Sequence, residues 1–413
     1  MAVRIVEEAN RCLGCKRPFC REGCPISTNI PEVIRLFKEG DMETAGKMLF
    51  ENNPLTLVCS LVCNHENQCE GHCIRGRKDT PVHFSAIESF ISDLYLDRMT
   101  VDRKPANGHK VAVIGGGPAG ITVAIELARE GFSVTIFDAK DKLGGVMRYG
   151  IPEFRLPRTV LDRIAQRVIE MGVKFRASTT IGGALEIGDL LRDGYEAVFI
   201  GTGVWRPRTL GMRGESLANV HFAMDYLGNP DSFDLGETVA VIGVGNSAMD
   251  VARTALRHGA RRVRMYARTR KVHASSEELD YAQLEGAEIV YGHRIVELTE
   301  KGPVFEVTRY DEQGDPVGEE PEPILVEADS TVIAISQGPK NKLVLTTPGL
   351  ECASNGLLIV DENGMTTVDG VFAAGDVVTG SNTVVHAVAE AKRAARSMTR
   401  YMLGEDDASQ SEK

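Results

Sequence analysis

The sequence predicts an α/β protein of two Rossmann-like domains preceded by an α-helical, cysteine-rich domain. Three observations carry that expectation. A Val/Ile run ends in a glycine-rich turn at residues 111–120, VAVIGGGPAG, and the pattern returns at 239–245 as VAVIGVG. Eight of the nine cysteines fall between Cys12 and Cys73. A length of 413 residues exceeds one small core and makes two or three domains the expectation.

The cysteines come first in the chain. One group is Cys12, Cys15, Cys20 and Cys24, followed by Pro25; the other is Cys59, Cys63, Cys69 and Cys73. Between them, apolar residues at Val33, Leu36, Phe37, Ala45, Met48 and Leu49 suit two short helices with a turn at Gly40-Asp41. Closely spaced thiols ending in Cys-Pro suit iron–sulfur ligation, although the first two gaps are unequal, unlike a ferredoxin. Tetrahedral zinc uses the same Cys-x2-Cys spacing and stays open as a rival. Disulfides are the third reading, disfavoured because residues 1–10 carry Glu7 and Glu8 and no apolar core, so no secretory signal is expected. A neighbouring redox cofactor would give clusters something to exchange electrons with.

Residues 102–109 read as a linker. The strand and glycine turn at 111–120 then lead into a helix over 121–130. Gly115 makes the tight turn, Gly117 lets a pyrophosphate approach the backbone, and Gly120 lets helix and strand pack closely. The anion would sit on the free N–H groups of the helix N-terminus. A second strand, 133–137, ends at Asp138, where a carboxylate can accept from a ribose hydroxyl. The Gly144-Gly145 pair fits the close passage of a bulky cofactor or a plain turn. Residues 156–171 read as a helix and 197–203 as a strand returning beside the first.

The second unit repeats the plan. Gly243 and Gly245 close its strand, Asn246 follows, and Ala248 stands at the helix-packing position of the third glycine. Its helix is expected through 251–258 and its next strand over 263–267. Ala267 occupies the place that Asp138 holds in the first unit, and Arg268, Arg270 and Lys271 follow. Cations without a carboxylate suit a ribose 2′-phosphate, or else a solvated basic loop. Residues 288–310 and 324–335 read as strands around a polar turn at 311–323. Residues 331–338 resemble 197–203 and would close the second sheet. The motif GVFAAGD at 370–376 precedes a helix over 383–398, and 405–413 read as a disordered tail.

A formal net charge of −11 argues against nucleic acid as a partner. The apolar stretch 111–128 holds four glycines, a proline and Glu126, so no membrane span is expected there. The expected location is the cytoplasm. No cysteine lies between Cys73 and Cys352, so a flavin-linked redox disulfide is not expected.

Taken together, VAVIGGGPAG, VAVIGVGNSAMD, GVFAAGD and the eight N-terminal cysteines resemble the two-dinucleotide-binding-domain flavoproteins. Within these, the chain resembles glutamate synthase small subunits. It also resembles the flavin and iron–sulfur half of dihydropyrimidine dehydrogenase and the large subunit of NADH-dependent ferredoxin:NADP oxidoreductases. The resemblance implies FAD on Gly115, Gly117, Gly120 and Asp138, with Gly144, Gly145 and Arg148 along the cofactor. It places Gly375 and Asp376 at the flavin-side phosphate and ribityl chain, and Thr383 and Val384 at the pyrimidine end of the ring. NAD(P)H would take Gly243, Gly245 and Asn246, with Arg268 and Arg270 reading a 2′-phosphate. It further implies two [4Fe–4S] clusters with crossed ligation. Cys12, Cys15, Cys20 and Cys73 would hold one. Cys24, Cys63, Cys69 and Glu88 would hold the other, leaving Cys59 a bystander. Eight thiolates for two clusters remain the arithmetically simpler alternative.

The implied domains are 1–105 for the clusters, 106–225 with 345–404 for FAD, and 226–344 for NAD(P). The implied activity is electron transfer: hydride between NAD(P)H and FAD, then single electrons through the clusters to or from a partner redox subunit. A self-contained NAD(P)H reductase with structural zinc and a non-catalytic assembly subunit are the alternatives.

Overall fold

The computed structural model describes residues 4–100, 103–311, 313 and 315–404. The expected tail at 405–413 and the first residue of the expected linker, Asp102, lie outside them. The chain forms two compact units: Met1–Arg148, Glu153–Val204 and Pro339–Lys413 in one, Tyr149–Pro152 and Trp205–Gly338 in the other.

The first unit is built on a five-stranded parallel sheet. Lys110–Ile114 lies at its centre, with Ser133–Phe137 and Lys174–Arg176 on one side and Ala197–Ile200 and Val371–Ala373 on the other. Val111, Ala112 and Val113 are fully buried, as expected for a strand covered on both faces. Helices Pro118–Arg129 and Val384–Leu403 lie against each other beside it. The chain leaves the central strand toward one edge and returns on the other side. That reversal opens a crevice at the carboxyl ends of the strands, where ligands of such sheets bind.

The cysteine-rich segment belongs to this same unit. It is helical, as expected, and the helix pair anticipated around Gly40 is Ile30–Glu39 and Met42–Asn52. Gly40 ends the first helix in the left-handed region at φ 80°, and the Asp41 carboxylate caps the second by accepting from Thr44 N at 3.0 Å. Val33, Leu49, Ile87 and Ile91 form its core, joining these helices to the long helix Phe84–Arg98. That long helix docks on helix Arg158–Glu170. Arg163 pairs with Asp93 at 2.6 Å, and Arg167 donates to the carbonyls of Leu96 and Asp97 at 2.8 and 2.7 Å.

The second unit repeats the sheet order. Thr238–Ile242 is central, with Arg262–Ala267 and Glu288–Tyr291 on one side and Ser330–Ile333 and Val220–Phe222 on the other. Val220–Phe222 pairs with Ser330–Ile333, so residues 205–225 lie with this sheet, whereas the sequence reading grouped them with the first domain. Residues 339–344 likewise lie with the first unit. The signal was weak because a three-residue edge strand carries no apolar run.

An antiparallel arm of His293–Thr299, Gly302–Tyr310, Pro316–Glu319 and Ile324–Leu325 is attached to the second unit. The expected turn at 311–323 therefore contains a strand. All four residues of Pro316–Glu319 are exposed, and an edge strand with no buried face shows no alternation.

Candidate functional site

The thiols of the helical domain gather in two places. Cys12, Cys15, Cys20 and Cys73 line one cavity walled by apolar residues such as Phe19 and Ile34, and Cys69 reaches the same wall. The last cysteine of the second group thus meets the first three of the first group. All nine cysteines are free thiols. Burial pushes the Cys12 thiol up, and it pushes Cys20 up to about 11, with Cys73 beside it adding to the effect. A thiolate is costly in such a pocket unless a cation neutralises it, which suits metal ligands.

A second set adjoins this cavity through Cys69. Cys63 hydrogen-bonds Cys59, and that contact, followed by burial, holds its thiol well above the ordinary range; Glu88 and Cys69 add repulsion. Cys69 is pushed up first by burial, then by Glu88, Glu70 and Cys24. Cys63 and Cys69 therefore both lie near Glu88 and each other, Cys24 lies near Cys69, and Cys59 adjoins Cys63. Glu88 is only 7 % exposed, and burial raises its carboxyl to about 7. Its Oε1 accepts from Thr56 Oγ1 at 2.7 Å. Among the described residues no three His, Cys, Asp or Glu side chains converge on a single metal ion. Cys12, Cys15, Cys20 and Cys73 around one cavity are a donor set that fits an iron–sulfur cluster.

Several supporting residues escaped the sequence reading. Thr28 bridges Cys24 Sγ at 3.4 Å and Asn52 Nδ2 at 2.9 Å. Glu8 and Glu70 accept from His83 N at 2.8 Å and Ser85 N at 2.9 Å, placing two carboxylates at the N-terminus of the helix that carries Glu88. Lys392, on helix Val384–Leu403, donates to the carbonyls of Glu51 and Asn52. A threonine or lysine between apolar residues gives no periodic signal, so these were not visible in the pattern.

In the first sheet the glycines separate by role. A Cβ on Gly120 would strike the carbonyl of Gly115, and one on Gly115, at φ 103°, would lie 2.5 Å from the carbonyl of Gly201. Both positions are fixed by packing. Gly117 is different: its added Cβ would meet nothing nearer than Gly145 Cα at 3.8 Å. It opens onto space beside the uncapped N-terminus of helix Pro118–Arg129, a cradle suited to phosphate. Gly144 N donates to Gly116 O at 2.8 Å, and a Cβ on Gly145 would lie 2.6 Å from Gly117 Cα, so the glycine pair closes over the first turn. Asp138 accepts from Gly116 N and, at 2.7 Å, from Lys140 N. Burial raises its carboxyl.

Arg148 is buried, donating to Leu143 O at 2.8 Å and to Asp162 at 2.5 Å, so its guanidinium braces this turn from within the protein. Gly375, at φ 78°, donates its N–H to Glu390 at 2.9 Å. Asp376 accepts from Asn382 N at 3.2 Å, and burial with Glu390 nearby raises its carboxyl to about 7. Thr383 stands at the N-cap of helix Val384–Leu403 without capping it, and its hydroxyl contacts His386 Nδ1 at 2.7 Å. Val384 is buried.

The second glycine turn shows the same division. A Cβ on Gly243, at φ 126°, would strike the Ala334 carbonyl, whereas one on Gly245 would meet nothing within 4 Å. Helix Asn246–Arg257 begins there without a side-chain cap, five residues ahead of the expected Val251. Asn246 Oδ1 accepts from Ser275 N at 3.0 Å, and Val244 O accepts from His273 N and Ala274 N at 3.2 Å. The loop carrying Arg268 and Arg270 is thereby held over the turn. Both arginines are exposed, and Arg270 lies over the Tyr310 ring at 5.4 Å.

Comparisons with known proteins agree with this geometry. The family described as pyridine nucleotide-disulphide oxidoreductase matches residues 109–391, and dihydropyrimidine dehydrogenase domain II, 4Fe-4S cluster, matches residues 2–100. The glutamate synthase [NADPH] small chain of Azospirillum brasilense is 33 % identical, over 98 % of this chain and 90 % of that one. The NAD-dependent dihydropyrimidine dehydrogenase subunit PreT of Salmonella typhimurium is 32 % identical, over 96 % and 94 %. Among solved structures, Mycobacterium tuberculosis FprA in complex with NADPH has a TM-score of 0.58 at 17 % identity, covering 75 % of this chain and 87 % of that one; it shares the fold. No helix among the described residues is long and apolar enough to cross a membrane. The chain is an NAD(P)H oxidoreductase with FAD and 4Fe-4S chemistry, and it belongs to the pyridine nucleotide-disulphide oxidoreductases, in the family of the glutamate synthase small chains and PreT.

Proposed function

We propose that the chain is the cytoplasmic NADPH-linked electron-transfer subunit of a larger redox complex. In this reading hydride passes between NADPH and FAD, and single electrons pass through two [4Fe–4S] clusters to or from a partner subunit. When bound, FAD supplies the change from two-electron to one-electron chemistry. The protein's part is to bind and orient. Gly117 and the free N–H groups beside it take the FAD pyrophosphate, and Asp138 the adenosine ribose. Asp376 takes the ribityl side, and the N-terminus of helix Val384–Leu403 stabilises negative charge at the pyrimidine edge. Gly245 and Asn246 take the nicotinamide nucleotide, with Arg268 and Arg270 on its 2′-phosphate. Cys12, Cys15, Cys20 and Cys73 hold one cluster. Cys24, Cys63, Cys69 and Glu88 hold the other.

The observation that carries this reading is the crossed grouping of the donors. Cys12, Cys15, Cys20 and Cys73 line one apolar cavity, and Cys69 on its wall lies near Cys24, Cys63 and the buried Glu88, in a domain docked on the helices of the first sheet. The partner is supported by relatives named as subunits, including a formate dehydrogenase subunit beta from Moorella thermoacetica, 34 % identical over 94 % of this chain and 60 % of that one. Anaerobic purification with flavin and iron analysis tests the proposal. About one FAD and about eight irons per chain are expected, with iron–sulfur EPR signals appearing on NADPH addition. Flavin with stoichiometric zinc would support a self-contained reductase, and a colourless protein an assembly subunit.

A further inference from the structure

The cavity formed by the first thiol set has a rim that none of the roles above uses. Leu13 and Ile74 stand on it, 61 % and 37 % exposed, each next to a cysteine in sequence. Around them the chain turns basic. Residues 11–24 carry four cations and one acid, and residues 72–80 carry three cations and one acid. The balance is +5 within a chain whose formal charge is −11. The two segments are brought together at Phe19, whose ring has Arg17 at 5.6 Å and Arg77 at 5.8 Å.

The two acids are matched: Glu22 pairs with Arg17 at 3.0 Å, and Asp79 with Arg75 at 3.1 Å. Among the described residues no carboxylate is in ion-pair contact with Lys16, Arg77 or Lys78, and all three are exposed. An apolar centre inside a charged rim is the anatomy of a transient interface. A basic patch on an acidic molecule also has a definite electrostatic meaning. It repels the same basic face of a second copy, and it steers a protein that presents an acidic surface to this one face.

We propose that the face formed by residues 11–24 and 72–80 is the docking surface for the redox partner, and that the partner presents an acidic surface around its own acceptor centre. This rests on the electron-transfer reading above and adds where the electrons leave and what chemistry recognises the receiving protein. Lys16, Arg77 and Lys78 provide the attraction at a distance. Leu13 and Ile74 provide the contact that excludes water beside the thiol cavity.

The test uses the holoenzyme with a small acidic ferredoxin as probe and basic cytochrome c as control, binding being measured at about 50 mM and about 300 mM salt. Ferredoxin is expected to bind, about tenfold more weakly at the higher salt. The double variant Lys16→Glu, Arg77→Glu should lose about tenfold in affinity at low salt, with iron content and NADPH-dependent menadione reduction unchanged. Leu13→Ser with Ile74→Ser should weaken binding at both salt concentrations and leave the salt dependence intact. Absence of ferredoxin binding, preference for cytochrome c, or indifference to charge reversal would each overturn the proposal. Failure of NADPH to reduce any iron–sulfur signal would instead defeat the electron-transfer reading, a result visible without ferredoxin.

Discussion

Lys392 donates to the main-chain carbonyl of Asn52 at 3.0 Å, across 340 residues of sequence. The contact joins two functional halves. Lys392 belongs to the helix whose N-terminus begins at Thr383, and the Asn52 side chain holds Thr28, which contacts Cys24. Lys392 is 8 % exposed and also pairs with Glu126 at 3.3 Å. It sits at the C-terminus of helix Met42–Asn52, where a cation meets the negative end of the helix dipole. Lys392→Met keeps the length of the side chain and removes its charge. It leaves two carbonyls and a carboxylate without their donor, so a loss of about 1–3 kcal/mol is expected in chemical denaturation. Stability equal to that of the parent protein would mean that water replaces the ammonium and that the contact does not bind the halves together.

Gly117→Val tests the phosphate cradle without disturbing the fold. The backbone there has φ −81°, which any residue adopts, and the added Cβ has room. A folded protein with an unchanged melting curve in its flavin-free form and little bound FAD is the expected outcome. Gly120→Val should fail to fold, since its Cβ would strike the Gly115 carbonyl. A yellow Gly117→Val protein would move the pyrophosphate elsewhere.

Asp376 gives the flavin-free protein a pH dependence of known sign. Its carboxyl is raised from an ordinary 3.8 to about 7, chiefly by burial, with Asn382 N opposing and Glu390 adding repulsion. The folded state then holds a proton that the unfolded chain releases. Stability contributed by the protonated form is full below pH 3.8, falls as pH rises, and is lost by about pH 7. Asp376→Asn cannot ionise, so its stability relative to the parent should rise through that window and level off above it, by about 1–3 kcal/mol. Melting curves of both flavin-free proteins between pH 4 and 8 decide it; a constant difference would place the titration on another group.

The parts legible in the sequence were those with a period or a turn. The strands around Gly115 and Gly243, the helix pair flanking Gly40 and the acid at Asp138 all announce themselves through apolar spacing and glycine. The short edge strand Val220–Phe222 and the exposed strand Pro316–Glu319 lack a buried face and carry no such mark. Thr28, Thr56 and Lys392 act through long-range hydrogen bonds, which depend on tertiary placement alone. Arg148 illustrates the converse. Its position beside the glycine pair was legible, but whether its guanidinium faces a cofactor or Asp162 is decided by a helix that follows later in the chain.

The choice of nicotinamide nucleotide should be set by Arg268 and Arg270. In the first unit Asp138 directly follows the second strand, and Ala267 stands at the corresponding position in the second unit. No carboxylate at that position accepts a 2′-hydroxyl, and two exposed guanidinium groups follow on a loop held to Val244 and Asn246. NADPH is expected to be preferred over NADH. Arg268→Ala with Arg270→Ala should raise the KM for NADPH about tenfold or more and leave NADH kinetics nearly unchanged, because only one of the two carries the phosphate. Steady-state kinetics with both donors measure this, and an unaltered ratio would return the arginines to the solvated surface.

Glu88 and Cys59 compete for one place. Both are buried and both stand beside Cys63, so either could complete a set with Cys24 and Cys69. Glu88 has the stronger structural provision. Thr56 donates to it at 2.7 Å, and two further carboxylates, Glu8 and Glu70, cap the start of its helix. A carboxylate so deeply buried with no cation beside it is costly even with the Thr56 hydrogen bond, and burial raises its pKa in the metal-free protein accordingly. A cluster iron would offset that cost. A carboxylate is a harder ligand than a thiolate, so the cluster it completes should differ in potential and EPR signature from the four-thiolate one. Glu88→Ala is therefore expected to alter or remove one iron–sulfur signal and spare the other, whereas Cys59→Ser should leave both, with full iron content. The opposite result, about four irons lost from Cys59→Ser and none from Glu88→Ala, would assign the ligand to Cys59 and make both clusters all-cysteine.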